Sequence, residues 1–395
     1  MELLFLAHRV PYPPDRGDKI RSFHLLKHLS ARAKVHLVAF TDDDRDLAHR
    51  DALTPWTATR TLVPRRKGQA RAAIEALATG KPVSLTAFAD PAVSAACADI
   101  LSTHPIDTIF CFSGQMAQYL PARAQRVIMD FVDVDSAKFA GYADDARVPM
   151  AWMMRREARL LGAFERAISA RADVSLFVSE AEAALFRGGG GKGRVIAIEN
   201  GIDTVRFDPE AAFESVAAPR PLIAFTGQMD YRPNMEAVRW FAEDILPLIR
   251  RTHDATFAIV GRNPDPAVTA LVSPHVIVTG EVADVRGWLA AASAVVAPLR
   301  LARGVQNKVL EAMAMARPVV ASAAAAEGID HDGTIRTGRD ADAIADAVTS
   351  LLGNSADAAA LGVAARARVI ARYGWSARLA PLDALLGLDA RRNAA

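Results

Sequence analysis

Short apolar runs alternating with longer helical stretches constrain this chain more than any other feature. The first half offers strands at Leu3–Ala7, Val35–Phe40, Thr108–Phe112, Arg126–Phe131, Val174–Val178 and Val195–Ile198. Helical patterns near Ile20–Ala31, Gln69–Leu77, Ala92–Ser102 and Trp152–Ala170 lie between them. The second half repeats the rhythm, with strands at Leu222–Thr226, Thr256–Val260, Val276–Thr279, Ala294–Ala297 and Val319–Ala321 and helices at Met235–Arg250, Asp284–Ala292 and Asn307–Ala314. Strands that are apolar almost throughout belong to parallel sheets covered on both faces by the connecting helices. A chain of 395 residues exceeds one ordinary core, so the expected fold is α/β, with two Rossmann-like, doubly wound parallel-sheet lobes. Periodicity fails over Phe207–Pro221. That places the lobes at 1–206 and 207–375, followed by a helical segment, 376–395, able to return to the first lobe. Ligands of open parallel sheets bind beyond the carboxyl ends of the strands, and two such lobes are expected to face each other across a cleft.

Composition narrows the function classes. Lys and Arg (47) nearly balance Asp and Glu (45), giving a net charge of +2 that argues against bulk nucleic-acid binding. Cys97 and Cys111 have neither metal-ligand nor redox spacing and read as buried thiols of a reducing cytoplasm. The opening Met-Glu-Leu-Leu-Phe-Leu reads as a strand rather than a leader, and no apolar run approaches the roughly 20 residues needed to cross a bilayer. A cytoplasmic protein is expected, touching the inner membrane only at its surface. The helix Met150–Leu161 mixes Trp152 and Met with Arg155, Arg156 and Arg159. It either packs on the core with a solvated basic face or meets anionic headgroups.

The chemistry concentrates at strand ends. From Arg303 to Ser322 the chain reads as a glycine turn at Gly304, a helix carrying the single inward Glu311, a stop at Pro318 and a short buried strand. Gln306, Asn307 and Lys308 crowd the first turn of that helix, where free backbone N–H groups favour an anion. A carboxylate one turn further on can accept hydrogen bonds from sugar hydroxyls of a ligand whose phosphates sit at the helix start. Thr226–Asn234 opens the second lobe, where Gly227 admits a diphosphate close to the backbone and Arg232 offers a planar fork of donors. Val260-Gly261-Arg262 and Thr279-Gly280-Glu281-Val282 end two more strands on the same edge. In the first lobe, Gly17, Asp18, Lys19 and Arg21 follow the first strand and open a helix; a Pro-rich surface loop is the plainer alternative. If the strand before them continues, Asp133 and Asp135 share one face, on which a carboxylate pair can orient a hydroxyl or stabilise positive charge. Either can instead cap the following helix, and no third oxygen ligand nearby argues for a metal.

These segments resemble family 4 glycosyltransferases of the GT-B architecture, and are specifically similar to the sugar transferases of bacterial exopolysaccharide and exosortase (PEP-CTERM) gene clusters. The resemblance covers almost the whole chain. It rests on Gly17–Arg21, Phe131–Ser136, Phe177–Glu182, Asn200–Asp203, Thr226–Asn234 and the stretch from Arg303 through Val320. It implies retention at the transferred sugar, no bound metal, no tightly bound cofactor and a UDP- or GDP-sugar as donor substrate. The implied acceptor is a glycan or polyprenyl-linked glycan of exopolysaccharide synthesis. Glu311 would receive the ribose hydroxyls, while the loop at Gly227 and the start of the Asn307 helix would hold the diphosphate. Gly17, Asp18 and Lys19 would approach from the first lobe. Two departures matter. Arg303 stands where many relatives place the first Glu of a Glu-x7-Glu pair, and Asn234 stands where a cation is common. Arg303 or Lys308 can supply the missing charge. Asp133 occupies the place of a His near the acceptor. The candidate catalytic residues are therefore Asp133, Asp135 and Lys308. The candidate donor-binding residues are Gly17, Asp18, Lys19, Gly227, Arg232, Arg303, Gly304, Asn307 and Glu311. Two other readings stay open: a sugar-nucleotide epimerase on the same architecture, and a catalytically silent nucleotide-sugar-binding subunit of a polysaccharide assembly complex.

Overall fold

Two parallel sheets organise the protein in the computed structural model, which describes residues 1–14, 17–42, 44–122, 126–302 and 305–387. The first sheet contains β1 (Glu2–Ala7), β2 (Lys34–Thr41), β3 (Thr59–Pro64), β4 (Ile106–Phe112), β5 (Val127–Val132), β6 (Val174–Phe177) and β7 (Val195–Ala197), in the order β3-β2-β1-β4-β5-β6-β7. The second contains β8 (Leu222–Thr226), β9 (Thr256–Val260), β10 (Val276–Val278), β11 (Ala294–Ala297), β12 (Val319–Ser322) and β13 (Arg336–Gly338), in the order β10-β9-β8-β11-β12-β13. Neighbouring strands in both sheets run parallel. The central strands β1 and β8 are buried along almost their whole length, which explains their unbroken apolar sequence. In each sheet the strand order reverses once, between β1 and β4 and between β8 and β11. Loops leaving the carboxyl ends there diverge to opposite faces and open a crevice.

The chain divides into two units, Met1–Asn200 with Leu379–Ala395 and Gly201–Arg378. The crossing therefore falls at Asn200–Gly201, slightly before the aperiodic stretch that marks it in the sequence. Gly201 is required there: a Cβ would lie 2.7 Å from the Trp375 backbone. Ile202 N–H also donates to Tyr373 O at 2.7 Å, tying both passages of the second unit together. In the first unit, Arg32 and His28 both reach Asp383 from the helix Gly17–Ser30 and its end, with Arg32 Nη2 2.9 Å from Oδ2 and His28 Nε2 2.9 Å from Oδ1.

Three expectations change. β3 and β13 escape the sequence pattern because they are short edge strands with half-exposed, partly polar residues. The strand carrying Asp130 stops at Val132, whose φ of +72° turns the backbone out of the sheet. Asp133 and Asp135 therefore do not share a strand face, and Asp135 is the first residue of the helix Asp135–Asp145. Third, the run Met235–Arg250 is a helix that starts at Arg232 and loosens into a π-turn at Phe241–Ile245.

Candidate functional site

The loops leaving β8, β9 and β10 and the helix Asn307–Ala314 enclose a cavity of about 620 Å³ at the carboxyl edge of the second sheet. Every residue lining it belongs to the second unit. The floor is built from glycines. Gly227 N–H donates to Val260 O at 3.0 Å, and Gly261 N–H to Gly280 O at 3.2 Å. Gly261 has φ +154°, and a Cβ on it would fall 1.6 Å from the Gly227 carbonyl oxygen. A Cβ on Gly227 would lie 2.8 Å from Asn234 Nδ2. These strand ends touch backbone to backbone, which keeps the cavity wall low and polar. Thr226 Oγ1, also lining the cavity, is buried and has no hydrogen-bond partner among the described residues.

The helix Asn307–Ala314 forms because Val309, Leu310, Ala312, Met313 and Ala314 bury one side, while Ala316 with φ +52° and Pro318 end it. That burial turns Asn307, Lys308 and Glu311 toward the cavity. Lys308 Nζ donates to Asn234 Oδ1 and sits 4.5 Å from the centre of the Phe225 ring. Asn234 Nδ2 in turn donates to Gln228 O at 2.8 Å. Asn234, itself uncharged, thus orients a cation in space. Burial lowers the Lys308 ammonium to about 8. Burial raises the Glu311 carboxyl to about 7, against the smaller opposing pull of Arg206 and Lys308. Arg262 stands at the rim, its Nη2 3.4 Å from Gln228 Oε1. One carboxylate able to accept from a diol, next to cations and a helix start, suits a ligand with a hydroxylated ring and an anionic tail.

The two ionisations set a pH window. Above about 7 Glu311 is a carboxylate and below about 8 Lys308 is a cation, so both are charged between those values. Affinity for a nucleoside diphosphate, measured by calorimetry on the free protein, is expected to be bell-shaped, weakening below about 7 and above about 8. A flat profile from pH 6 to 9 (roughly the range over which both groups titrate) is the contrary result.

Of the donor-binding candidates, Gly227, Asn307 and Glu311 line this cavity, together with Lys308. Arg232 does not. Its side chain is 84% exposed and pairs with Glu236 at 2.7 Å. Residues two apart on a helix differ by about 200°, so burying Asn234 turns Arg232 away. Arg303 and Gly304 lie outside the described residues.

Gly17, Asp18, Lys19, Asp133 and Asp135 belong to the first unit. Gly17 opens its helix with nothing within 4 Å of where a Cβ would stand, so packing does not demand glycine there. Asp18 Oδ2 receives Arg9 Nη1 at 2.6 Å and lies 3.2 Å from His8 Nε2. Lys19 is buried, and its Nζ pairs with Asp46 at 2.7 Å. Asp133 and Asp135 are brought together by Lys138, whose Nζ lies 2.7 Å from one and 3.3 Å from the other.

Sequence reasoning missed His8, Glu165 and the partners of Arg21 in this unit. His8 ends the β1 run, stacks on Phe112 at 5.6 Å, and keeps a buried Nδ1 without a partner among the described residues. Burial lowers its basicity. Arg21 Nε donates to buried Asp130 at 2.9 Å and its Nη1 to Asn200 Oδ1 at 2.9 Å. Glu165, raised to about 7 by burial, accepts from the backbone N–H of Ser136 at 3.1 Å and from its hydroxyl. His8 had a signal, a titratable residue at the end of the first apolar strand; the Arg21 and Glu165 partners lie too far along the chain to show one.

Residues 220–354, which include the cavity-lining residues, match the family described as Glycosyl transferases group 1. Among curated proteins, the chain is 32% identical over 254 residues to a GDP-mannose-dependent alpha-(1-6)-phosphatidylinositol monomannoside mannosyltransferase of Mycobacterium tuberculosis. The match takes in 58% of this chain and spans 65% of that relative's length. Among solved structures, a glycosyltransferase from Rickettsia africae superposes with TM-score 0.63 at 14% identity, over 97% of each chain. Anabaena HepE in complex with UDP superposes with TM-score 0.60 at 15% identity, over 98% of this chain and 100% of that one. The chain therefore has the GT-B fold of these glycosyltransferases, two Rossmann-like parallel-sheet lobes, with the group 1 match lying in the second.

Proposed function

We propose that this protein is a retaining glycosyltransferase that moves a sugar from a nucleoside-diphosphate donor to a glycan or polyprenyl-linked glycan acceptor in exopolysaccharide synthesis. The observation that carries the reading is the cavity in which Glu311 and Lys308 share one helix face beside the glycine floor. Glu311 accepts hydrogen bonds from the ribose diol. Lys308, held by Asn234, and the amides at the start of its helix balance charge on the diphosphate as it departs. In a same-face transfer the acceptor hydroxyl attacks the anomeric carbon while the bond to the diphosphate oxygen breaks, and that oxygen takes the hydroxyl proton. The protein's part is orientation and charge stabilisation. Likeness to a GDP-mannose-dependent enzyme favours GDP-mannose as donor, with UDP-sugars as the second choice.

A peripheral contact with the inner membrane fits the acceptor. Among the described residues no helix is long and apolar enough to cross a membrane. Val148, Met150 and Trp152 are nonetheless exposed at the start of the helix Met150–Ser169, with Arg155 and Arg159 exposed beside them. Arg156 instead faces inward, donating to Ala76 O at 2.7 Å and Lys81 O at 3.1 Å. Apolar tips among arginines suit an anionic headgroup layer.

The test incubates the full chain with GDP-mannose or UDP-glucose and a polyprenyl-linked acceptor in anionic vesicles, reading product by mass spectrometry and anomeric configuration by NMR. Transfer with retention is expected, with Trp152→Glu slowing only the vesicle-borne reaction. Donor binding without transfer to any acceptor would favour the silent-subunit reading, and absence of donor binding would end both.

A further inference from the structure

We propose that Glu2, His36 and His104 form a binding site for a zinc-type divalent cation at the amino-terminal edge of the first sheet. Parallel pairing assembles it from three distant points of the sequence. Glu2 opens β1 between Lys34 of β2 and Ile106 of β4 in the strand register. His36 lies two residues along β2, on the same face as Lys34, and His104 ends the helix Pro91–Thr103 just before β4. One ligand atom from each lies within 4.8 Å of the others. His36 Nε2 is 2.8 Å and His104 Nδ1 3.6 Å from the same oxygen, Glu2 Oε2.

The donor set is two imidazoles and a carboxylate, which suits zinc and its neighbours better than calcium or magnesium. Ligand atoms on a tetrahedral zinc stand about 3.3 Å apart. The two carboxylate–imidazole separations bracket that value, and the imidazole pair lies within 4.8 Å. His36 Nδ1 lies 2.8 Å from Thr59 Oγ1. A hydroxyl accepting the Nδ1 proton fixes the tautomer that leaves the Nε2 lone pair for a metal. The imidazole rings lie 4.1 Å apart, centre to centre, with a 34° tilt, an arrangement that needs something besides ring attraction to aim both at one oxygen. Lys34 pairs with the other carboxylate oxygen, Oε1, at 3.2 Å, and its side chain is 58% exposed, with room to swing aside. His104 is 30% exposed, leaving room for water at a fourth position.

This edge is opposite the carboxyl ends where the ligand cavities of such sheets open, so the cation would join β1, β2 and the approach to β4 rather than take part in transfer. The role is mechanical, and its readout is stability and spectroscopy.

The experiment uses tag-free full-length protein treated with chelator and then titrated with Zn²⁺ or Co²⁺. Zn²⁺ is expected to raise the melting temperature by several degrees (about 4 °C or more at saturating metal), and Co²⁺ to give visible absorption bands of a four- or five-coordinate ion. His104→Ala, at a partly exposed position, should fold and lose both signals, while Thr59→Val should weaken affinity about tenfold. His275→Ala, a histidine change in the second unit, should leave both signals intact. No thermal shift with either ion, or signals unchanged in His104→Ala, would overturn the proposal.

Discussion

Replacing Glu311 by Ala is expected to lower kcat/KM for donor turnover by about 10²–10³-fold, while leaving the protein at least as stable as before. The loss follows from two hydrogen bonds to a charged acceptor, each contributing about 1.5–3 kcal/mol. The stability half follows from the sign of the pKa shift. Burial raises the Glu311 carboxyl to about 7, so the folded state disfavours its charge. Its unfavourable contribution is absent below the ordinary carboxyl range, grows as pH rises, and is complete above about 7. Removing the carboxyl at pH 8 (about a unit above its midpoint) therefore relieves the fold. Glu311→Gln, which keeps the shape and one acceptor, should fall between wild type and Ala in turnover. A Glu311→Ala protein with unchanged kcat/KM and lower melting temperature would make this side chain structural and remove the ribose contact from the proposed function.

Replacing Arg21 by Ala is expected to destabilise the first unit by about 3–5 kcal/mol, measured as a lower denaturation midpoint with tryptophan fluorescence as the probe. Arg21 and Asp130 are both essentially shielded from solvent and lie 2.9 Å apart. Losing the guanidinium strands a buried carboxylate and leaves Asn200 Oδ1 without that donor. Asp130 is already held above the usual carboxylate range by burial, with Arg21 pulling the other way. Without Arg21 its carboxyl rises further, so the deficit should be greatest where Asp130 would have to ionise and should shrink as pH falls and it takes up a proton. The paired change Arg21→Met with Asp130→Leu should recover much of the loss. A deficit under about 1 kcal/mol for Arg21→Ala would show that this pair contributes no more than an exposed one.

What the sequence reveals of the structure divides by range. Strands β1, β8, β9, β11 and β12 announce themselves because each is buried on both faces, so local composition carries the signal. Glu311 is legible for a related reason: a lone carboxylate in a helix with one buried side marks the boundary between core and cavity. What depends on partners far away in the chain is not legible. Asn234 and Lys308 are 74 residues apart, and Arg21 and Asp130 are 109 apart, so neither pairing leaves a local trace. Lys19 illustrates the same limit. At the start of a helix beyond a strand it reads as a ligand contact, and its pairing with Asp46, 27 residues on, leaves no local trace. The bend at Val132 is hidden differently, since a β-branched residue is the last type expected at positive φ. Only surrounding contacts, such as Val178 N–H to Val132 O at 2.7 Å, hold it there.

The crowding at Gly261 has an implication for anyone reading substitution tolerance across this chain. With another carbonyl oxygen 1.6 Å from where a first side-chain carbon would sit, the position admits hydrogen alone whether or not a nucleotide ever occupies the neighbouring space. A deep mutational survey will therefore flag it as intolerant even under a selection blind to catalysis. Intolerance at Gly261 measures how tightly two strand ends are wedged together, whereas intolerance at the charged side chains Glu311 and Lys308 can report on chemistry.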